Sequence, residues 1–281
     1  MIENTVRLGE TTFAFLEDGP AAGPPVVVVH GFPDSPHSWT GVMSALAAAG
    51  HRVLAPFQRG YAPTGVPADG RYQTGRLAAD IRDLVLATTE GPVDLVGHDW
   101  GAPAVYGAAN LLGDRCRRVV GLAVPPELRG DALFSYAQAK RSFYMFFFQL
   151  PVDPVVAAGD FAFLDGLWDD WTMPGTDSAA ARAAVKDCLR DPANLAAALG
   201  YYRALFAPPA AGDDAAGAAE QEATSVLPAQ PLLYLHGAAD GCMGVESTEH
   251  VAGRVVVQGA NHFLQLDRPD EVERRITEFL A

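Results

Sequence analysis

Apolar and polar positions along this chain follow two rhythms, one of short unbroken strands and one of helices with a single apolar face. Thr5 to Leu8 and Thr12 to Leu16 are β-prone runs on either side of Gly9-Glu10, which predicts an N-terminal hairpin. Val26-Val27-Val28-Val29 has no polar position, the pattern of a strand covered on both faces, and therefore predicts a parallel sheet. Helix and strand patterns then take turns. A helix is expected from Ser38 to Ala49, a strand from Arg52 to Ala55, and a helix from Thr74 to Thr89 with Leu77, Ile81, Leu84 and Val85 along one side. A strand from Val93, a helix from Ala102 to Leu112 and a strand from Arg118 to Val124 follow.

Past Pro125-Pro126 the pattern turns helical and aromatic, and no convincing strand returns before Pro231 to Leu235. A strand at Arg254 to Val257 and an amphipathic helix from Pro269 to Leu280 close the chain. The expected fold class is α/β: a mostly parallel central sheet with helices on both faces and an inserted helical cap. The expected boundaries are a core over 1–125, a helical cap with a connecting loop over 126–228, and the core again over 229–281. On the return to the core, Pro208 to Gln230 is rich in Ala, Gly, Asp and Pro and predicts an exposed connection in which no chemistry is legible.

Composition narrows the setting. The 281 residues are 49% hydrophobic, enough to fill a substantial core. A formal net charge of -14, with no basic cluster, argues against a nucleic-acid surface. Cys116, Cys188 and Cys242 are far apart without metal or disulfide spacing, which fits a reducing compartment. No signal core opens the chain, and its apolar runs are too short to cross a bilayer, so the expectation is a cytoplasmic protein without membrane partners.

The chemistry concentrates in Val93-Asp-Leu-Val-Gly-His-Asp-Trp-Gly101, where an apolar strand enters a Gly-X-nucleophile-X-Gly turn whose central residue is Asp99. Gly97 and Gly101 suit a sharp strand-to-helix bend that lifts Asp99 clear of the sheet. A carboxylate there can attack a saturated carbon and form an ester that water must hydrolyse, which points to ring opening or displacement. Asp240, after the Leu232 to Leu235 strand, and His262, after the last strand, complete the order nucleophile, acid, histidine that marks the α/β-hydrolase fold. His262 would activate the water, since an imidazole pKa of about 6.5 leaves the ring able to accept a proton at neutral pH. Asp240 would orient that ring. Glu127 is a rival for the acid role. His30-Gly31-Phe32-Pro33 predicts a turn in which the Phe32 N–H, together with that of Trp100, forms an oxyanion hole.

Over essentially its whole length the sequence resembles the α/β-hydrolase epoxide hydrolases. The motifs that carry the resemblance are His30-Gly31-Phe32-Pro33, Arg59-Gly60-Tyr61, Gly97-His98-Asp99-Trp100-Gly101 and the acid and histidine segments, with two tyrosines in the insertion. The resemblance implies that Tyr144 and Tyr202 hydrogen-bond the epoxide oxygen, with Tyr201 the competitor of Tyr202 one residue away. It implies an ether-bond hydrolase that makes a vicinal diol, with no cofactor and no metal. A small-molecule epoxide and water are the expected partners, and a homodimer is a possible assembly.

Around these groups His30, Pro33, Phe143, Phe147 and Phe263 are expected to bind substrate, in a largely apolar pocket near Phe146, Trp168 and Trp171. The dehalogenases are one alternative, since they share the Asp nucleophile. Haloalkane dehalogenases usually have Asn where this chain has Phe32, and fluoroacetate dehalogenases have His-Trp in place of Tyr144-Met145 and Arg in place of Trp100. A non-catalytic ligand-binding homologue is the other alternative, which would have no need of a water-activating histidine. Two segments depart from the epoxide hydrolase pattern: no Gly follows Tyr61, and Leu-Pro-Val-Asp follows Gln149.

Overall fold

The computed structural model of the protein describes residues 1–127, 133–207 and 215–281. The N-terminal hairpin pairs β1 (Ile2–Leu8) with β2 (Thr11–Asp18), and β2 continues antiparallel onto β4 (Arg52–Pro56). Every other pairing is parallel. β3 (Pro25–Val29) lies between β4 and β5 (Val93–His98), followed by β6 (Cys116–Leu122), β7 (Leu232–Gly237) and β8 (Val255–Val257), in the order β1-β2-β4-β3-β5-β6-β7-β8. The unbroken apolar run Val26 to Val29 is buried, as a strand covered on both faces should be, and so is all of β5 with its Asp94 and His98.

Strand order reverses at β3, because β4 is added on one side and β5 on the other. The crevice beyond the carboxyl ends of β3 and β5 is where such sheets hold a ligand. Helices α1 (Thr40–Ala48), α2 (Thr74–Thr88) and α3 (Gly101–Leu112) join the strands. Between β6 and β7 the described residues contain no strand. They form α4 (Tyr136–Arg141), α5 (Phe143–Phe147), α6 (Asp153–Trp171, broken at Ala158 to Phe161), α7 (Ala179–Cys188), α8 (Pro192–Phe206) and α9 (Ala215–Ala223). The short α10 (Leu264–Asp267) and α11 (Pro269–Leu280) end the chain. Among the described residues no helix is long and apolar enough to cross a membrane.

Three sequence expectations are corrected. The predicted helix from Ser38 begins as a 3-10 turn at Pro36–Trp39, set by the fixed φ of Pro36, and becomes α-helical only at Thr40. β6 starts earlier, at Cys116, and ends at Leu122, because Ala123 takes a left-handed backbone (φ 66) and prolines follow. The stretch expected to be an exposed connection contains α9; its residues 208–214 lie outside the described residues. Small side chains let α9 lie close on α2, where Gln221 accepts from the Gly75 N–H at 3.0 Å and donates to the Thr74 hydroxyl at 2.8 Å.

Contacts on two sides hold the helices after β6 to the sheet. Trp168 of α6 stacks on Phe263 with ring centroids 3.7 Å apart and donates its indole N–H to the Pro33 carbonyl at 2.9 Å. On the other side, Arg59 after β4 makes a bidentate pair with Asp80 of α2, at 2.5 and 2.9 Å. The Arg59 backbone carbonyl accepts the Tyr201 hydroxyl at 2.8 Å, and Asn194 donates to the Gly60 carbonyl at 2.6 Å, so the same loop also seats α8. Both members of the pair are buried, and removing Asp80 takes from Arg59 its bidentate buried counter-charge and leaves it only the more exposed Asp69 at 3.1 Å. Asp80→Asn is therefore expected to lower the unfolding free energy by on the order of 3 kcal/mol, read from urea denaturation of the two proteins.

Candidate active site

Asp99 stands at the end of β5 with φ 51, a left-handed backbone that few non-glycine residues adopt. Its neighbours make the bend feasible. A Cβ on Gly97 would lie 2.2 Å from the Gly101 carbonyl oxygen, and one on Gly101 would lie 2.2 Å from that of Val29. Gly31 is equally constrained, since a Cβ there would meet Asp99 Oδ1 at 2.3 Å. That close approach brings the Phe32 N–H to Asp99 Oδ1, which accepts from it at 2.7 Å. One carboxylate oxygen is thus held, and Oδ2 is left to face His262 Nε2 at 3.5 Å.

His262 is fully buried between two carboxylates, with Nδ1 3.1 Å from Asp240 Oδ2. Nε2 has no well-formed hydrogen bond. Burial disfavours a charged ring, yet the Cys242 sulfur and the Asp240 and Asp99 carboxylates outweigh it and hold the imidazole pKa well above its ordinary value. Asp240 Oδ1 accepts from the Cys242 and Met243 N–H groups, each at 2.8 Å. Burial would raise the Asp240 pKa, but His262, with help from those backbone donors, takes it below the usual carboxylate value. Glu127 borders the cavity near Asp99, while the Nδ1 it would have to engage is held by Asp240.

The other histidines play supporting roles. Burial pushes His30 and His98 down to about 4, so both are neutral. His30 lies 2.8 Å from the Gly31 carbonyl and accepts from the Gln58 N–H at 3.1 Å, while His98 Nε2 lies 2.9 Å from the His262 carbonyl. His236 comes within 3.7 Å of Asp240 but is also kept neutral by burial, and it is engaged by the Tyr234 hydroxyl and the Met243 carbonyl.

A cavity of about 480 Å³ opens over Asp99, with Trp100, Tyr144 and Tyr202 on its walls. The Tyr144 hydroxyl lies 3.2 Å from the Cys242 sulfur; the Tyr202 hydroxyl is buried without a well-formed hydrogen bond. Burial holds both phenols well above their ordinary pKa, so each remains a donor. Tyr201 faces the other way and donates to the Arg59 carbonyl, so of the two neighbours it is Tyr202 that borders the cavity.

None of His30, Pro33, Phe143, Phe147 and Phe263 lines this cavity, which corrects the expected substrate contacts. His30 is sealed beneath the Gly31 turn, and Pro33 and Phe263 are engaged by Trp168. Phe143 is 47% exposed and Phe147 stacks on Phe163, because the short α5 turns Tyr144 and Met145 to the cavity and carries Phe143 and Phe147 on other sides of the helix. The apolar wall is built instead by Pro103, Val124, Leu133, Met145 and Leu205.

Sequence reasoning missed Asn261. Its side-chain oxygen accepts from the Gly241 N–H at 2.7 Å and the His262 N–H at 2.8 Å, and its amide donates to the Asp170 carbonyl at 3.0 Å. This one side chain clamps the acid loop, the histidine loop and α6 together. Its place immediately before His262 was the only available signal. Among the described residues, Asp99, Cys242 and His262 are the one group of three buried side chains with metal-type donors close together.

Residues 24–269 match the family model described as alpha/beta hydrolase fold. The chain is 33% identical to epoxide hydrolase A of Mycobacterium tuberculosis, an alignment covering 99% of this chain and 97% of that protein. Among solved structures, epoxide hydrolase A from Mycobacterium thermoresistibile superposes with a TM-score of 0.76 at 28% identity, over 99% of this chain and 98% of that one. Epoxide hydrolase VrEH1 from Vigna radiata reaches a TM-score of 0.81 at 22% identity, over 99% and 97% of the two chains, a likeness of fold.

The raised pKa of His262 has a consequence for stability. A group whose pKa is higher folded than unfolded contributes stability that is complete below its unfolded value, about 6.5, and fades as pH rises through the folded value. The stability gap between the wild-type chain and His262→Gln is therefore expected to be widest below pH 6 or so and to narrow as pH rises, measured by urea denaturation across a pH series.

Proposed function

Since the chain belongs to the epoxide hydrolases of the alpha/beta-hydrolase fold, we propose that it converts an epoxide into a vicinal diol through an ester on Asp99. The observation that carries this reading is the facing of Asp99 by two buried phenols, Tyr144 and Tyr202, across one cavity. Displacement of a halide would have no use for a pair of hydroxyl donors over the nucleophile. Opening an epoxide does, because the departing oxygen gains negative charge and needs donors aimed at it in a dry site.

In the first step Asp99 Oδ2 attacks a ring carbon while Oδ1 stays on the Phe32 N–H. The carbon–oxygen bond of the ring breaks, its electron pair goes to oxygen, and the tyrosines supply the hydrogen bonds and the proton. Forming the ester removes the Asp99 charge, one of the groups that hold His262 protonated. The imidazole pKa then falls, the proton that the ring sheds restores the tyrosine that protonated the alkoxide, and the ring becomes a base at the stage that requires one.

In the second step His262 Nε2 takes a proton from water, with Asp240 steadying the imidazolium through Nδ1. The hydroxide adds to the ester carbonyl, and the Phe32 and Trp100 N–H groups stabilise the oxyanion. Collapse releases the diol, with the proton on His262 passing to the leaving oxygen, and the proton left on the Asp99 carboxyl returns to His262 to restore the resting ion pair. Much of the cavity lining is apolar, with Pro103, Val124, Leu133, Met145, Leu205 and Met243 among it, which suits an uncharged epoxide with an apolar body.

Two outcomes are expected. His262→Gln treated with an epoxide such as styrene oxide should accumulate an adduct of the substrate's full mass on the peptide containing Asp99, seen by mass spectrometry; an unmodified peptide in an active-site-competent sample would sink the covalent route. Tyr202→Phe should slow diol formation by on the order of a hundredfold with little change in melting temperature. Tyr201→Phe should do the reverse, since its hydroxyl serves Arg59 and not the cavity.

A further inference from the structure

Cys242 takes part in none of these steps, yet it lies on the cavity wall two residues past Asp240, with its sulfur 3.2 Å from the Tyr144 hydroxyl. One donor atom from each of Asp99, Cys242 and His262 lies within 4.8 Å of the other two, and all three residues are buried. We propose that these side chains form a binding site for a soft divalent cation of the Zn2+ or Cd2+ type, which blocks turnover by occupying the nucleophile and the base together.

The donor set is one that such ions select: a thiolate, an imidazole and a carboxylate oxygen. Across a tetrahedral ion with bonds of about 2.0 to 2.3 Å, neighbouring ligand atoms sit roughly 3.3 to 3.7 Å apart. His262 Nε2 and Asp99 Oδ2 are already 3.5 Å apart, and the Cys242 sulfur lies within 4.8 Å of a donor atom on each of these residues. Nε2 is buried and without a well-formed hydrogen bond, a second feature pointing to a missing partner. Asp99 Oδ1 is held by the Phe32 N–H, which turns Oδ2 towards the ion.

Behind the ring, Asp240 binds Nδ1 at 3.1 Å, the carboxylate support that fixes the tautomer of a metal-ligating histidine. Three protein ligands leave a fourth position facing the cavity, open to water. Binding exchanges the thiol proton, and any proton on Nε2, for the metal ion. Hard cations such as Mg2+ and Ca2+, which need a cage of oxygen ligands, find none here. Cys116 and Cys188 are buried thiols with no comparable neighbours among the described residues.

The inhibition rests on the proposed reaction, whereas the binding does not. Cd2+ titrated into the full-length protein should produce a cadmium–thiolate charge-transfer band in the ultraviolet that saturates at one ion per chain. Cys242→Ser should abolish the band. His262→Gln and Asp99→Asn should each weaken binding, and Asp240→Asn, which only removes the support behind the ring, should weaken it by roughly 10- to 100-fold. Cd2+ should inhibit epoxide turnover in the wild type and not in Cys242→Ser, each compared with its own metal-free rate.

Persistence of the band in Cys242→Ser overturns the site, as does wild-type affinity in both His262→Gln and Asp99→Asn, which would reduce the site to a solitary thiol. The two proposals fail separately. A chain that binds one Cd2+ but never carries an ester on Asp99 loses only the reaction, and a chain that forms the ester but shows no band loses only the metal site.

Discussion

The imidazole of His262, suspended between the carboxylates of Asp240 and Asp99, is the interaction on which the rest of the site depends. It crosses the molecule: Asp99 belongs to the end of β5, Asp240 to the loop after β7, and His262 to the loop after β8. A parallel sheet makes that possible because all its strands end on one side, so loops distant in sequence meet over the same edge. Burial would expel the charge from a lone histidine. Two carboxylates reverse that preference, and the neighbouring histidines stay neutral so that no second positive charge competes.

Holding that ring in place falls to backbone and amide groups, which do not titrate. Asn261 clamps the two loops that carry Asp240 and His262, and the Trp171 carbonyl accepts the His262 N–H at 3.1 Å. Asp99 keeps a strained backbone because its surroundings over-determine it: Gly31, Gly97 and Gly101 leave no room for another arrangement, and the Phe32 N–H fixes one carboxylate oxygen. Strain and buried charge are thus confined to one small volume, and the apolar sheet beneath it supplies the rigidity.

The helices after β6 contribute what the sheet cannot, two phenols that approach the nucleophile from above. Their rings meet edge to face, 5.4 Å apart, and Tyr202 also packs perpendicular to Trp100 at 5.1 Å. The Trp168 stack on Phe263 and the Tyr201 and Asn194 bonds to the Arg59 loop hold these helices down at opposite ends. Cys242 sits at the junction, next to a phenol on one side and the triad on the other.

The sequence by itself determined the α/β class and the elbow around Asp99. Unbroken valines, helical periodicity and a Gly-X-Asp-X-Gly turn are local properties, and each depends on residues close in the chain. The order Asp99, Asp240, His262 was legible for the same reason, since each residue follows a recognisable strand. What surrounds the nucleophile was not legible. Phe143 and Phe147 looked like pocket residues, yet the first is exposed and the second packs on Phe163, and the choice between Tyr201 and Tyr202 turned on the orientation of α8 against Arg59. The stretch that reads as an idle connection holds α9, packed on α2. Which side of a helix meets a cavity, and which acid meets a ring nitrogen, is set by packing between segments tens of residues apart, and only the tertiary structure decides it.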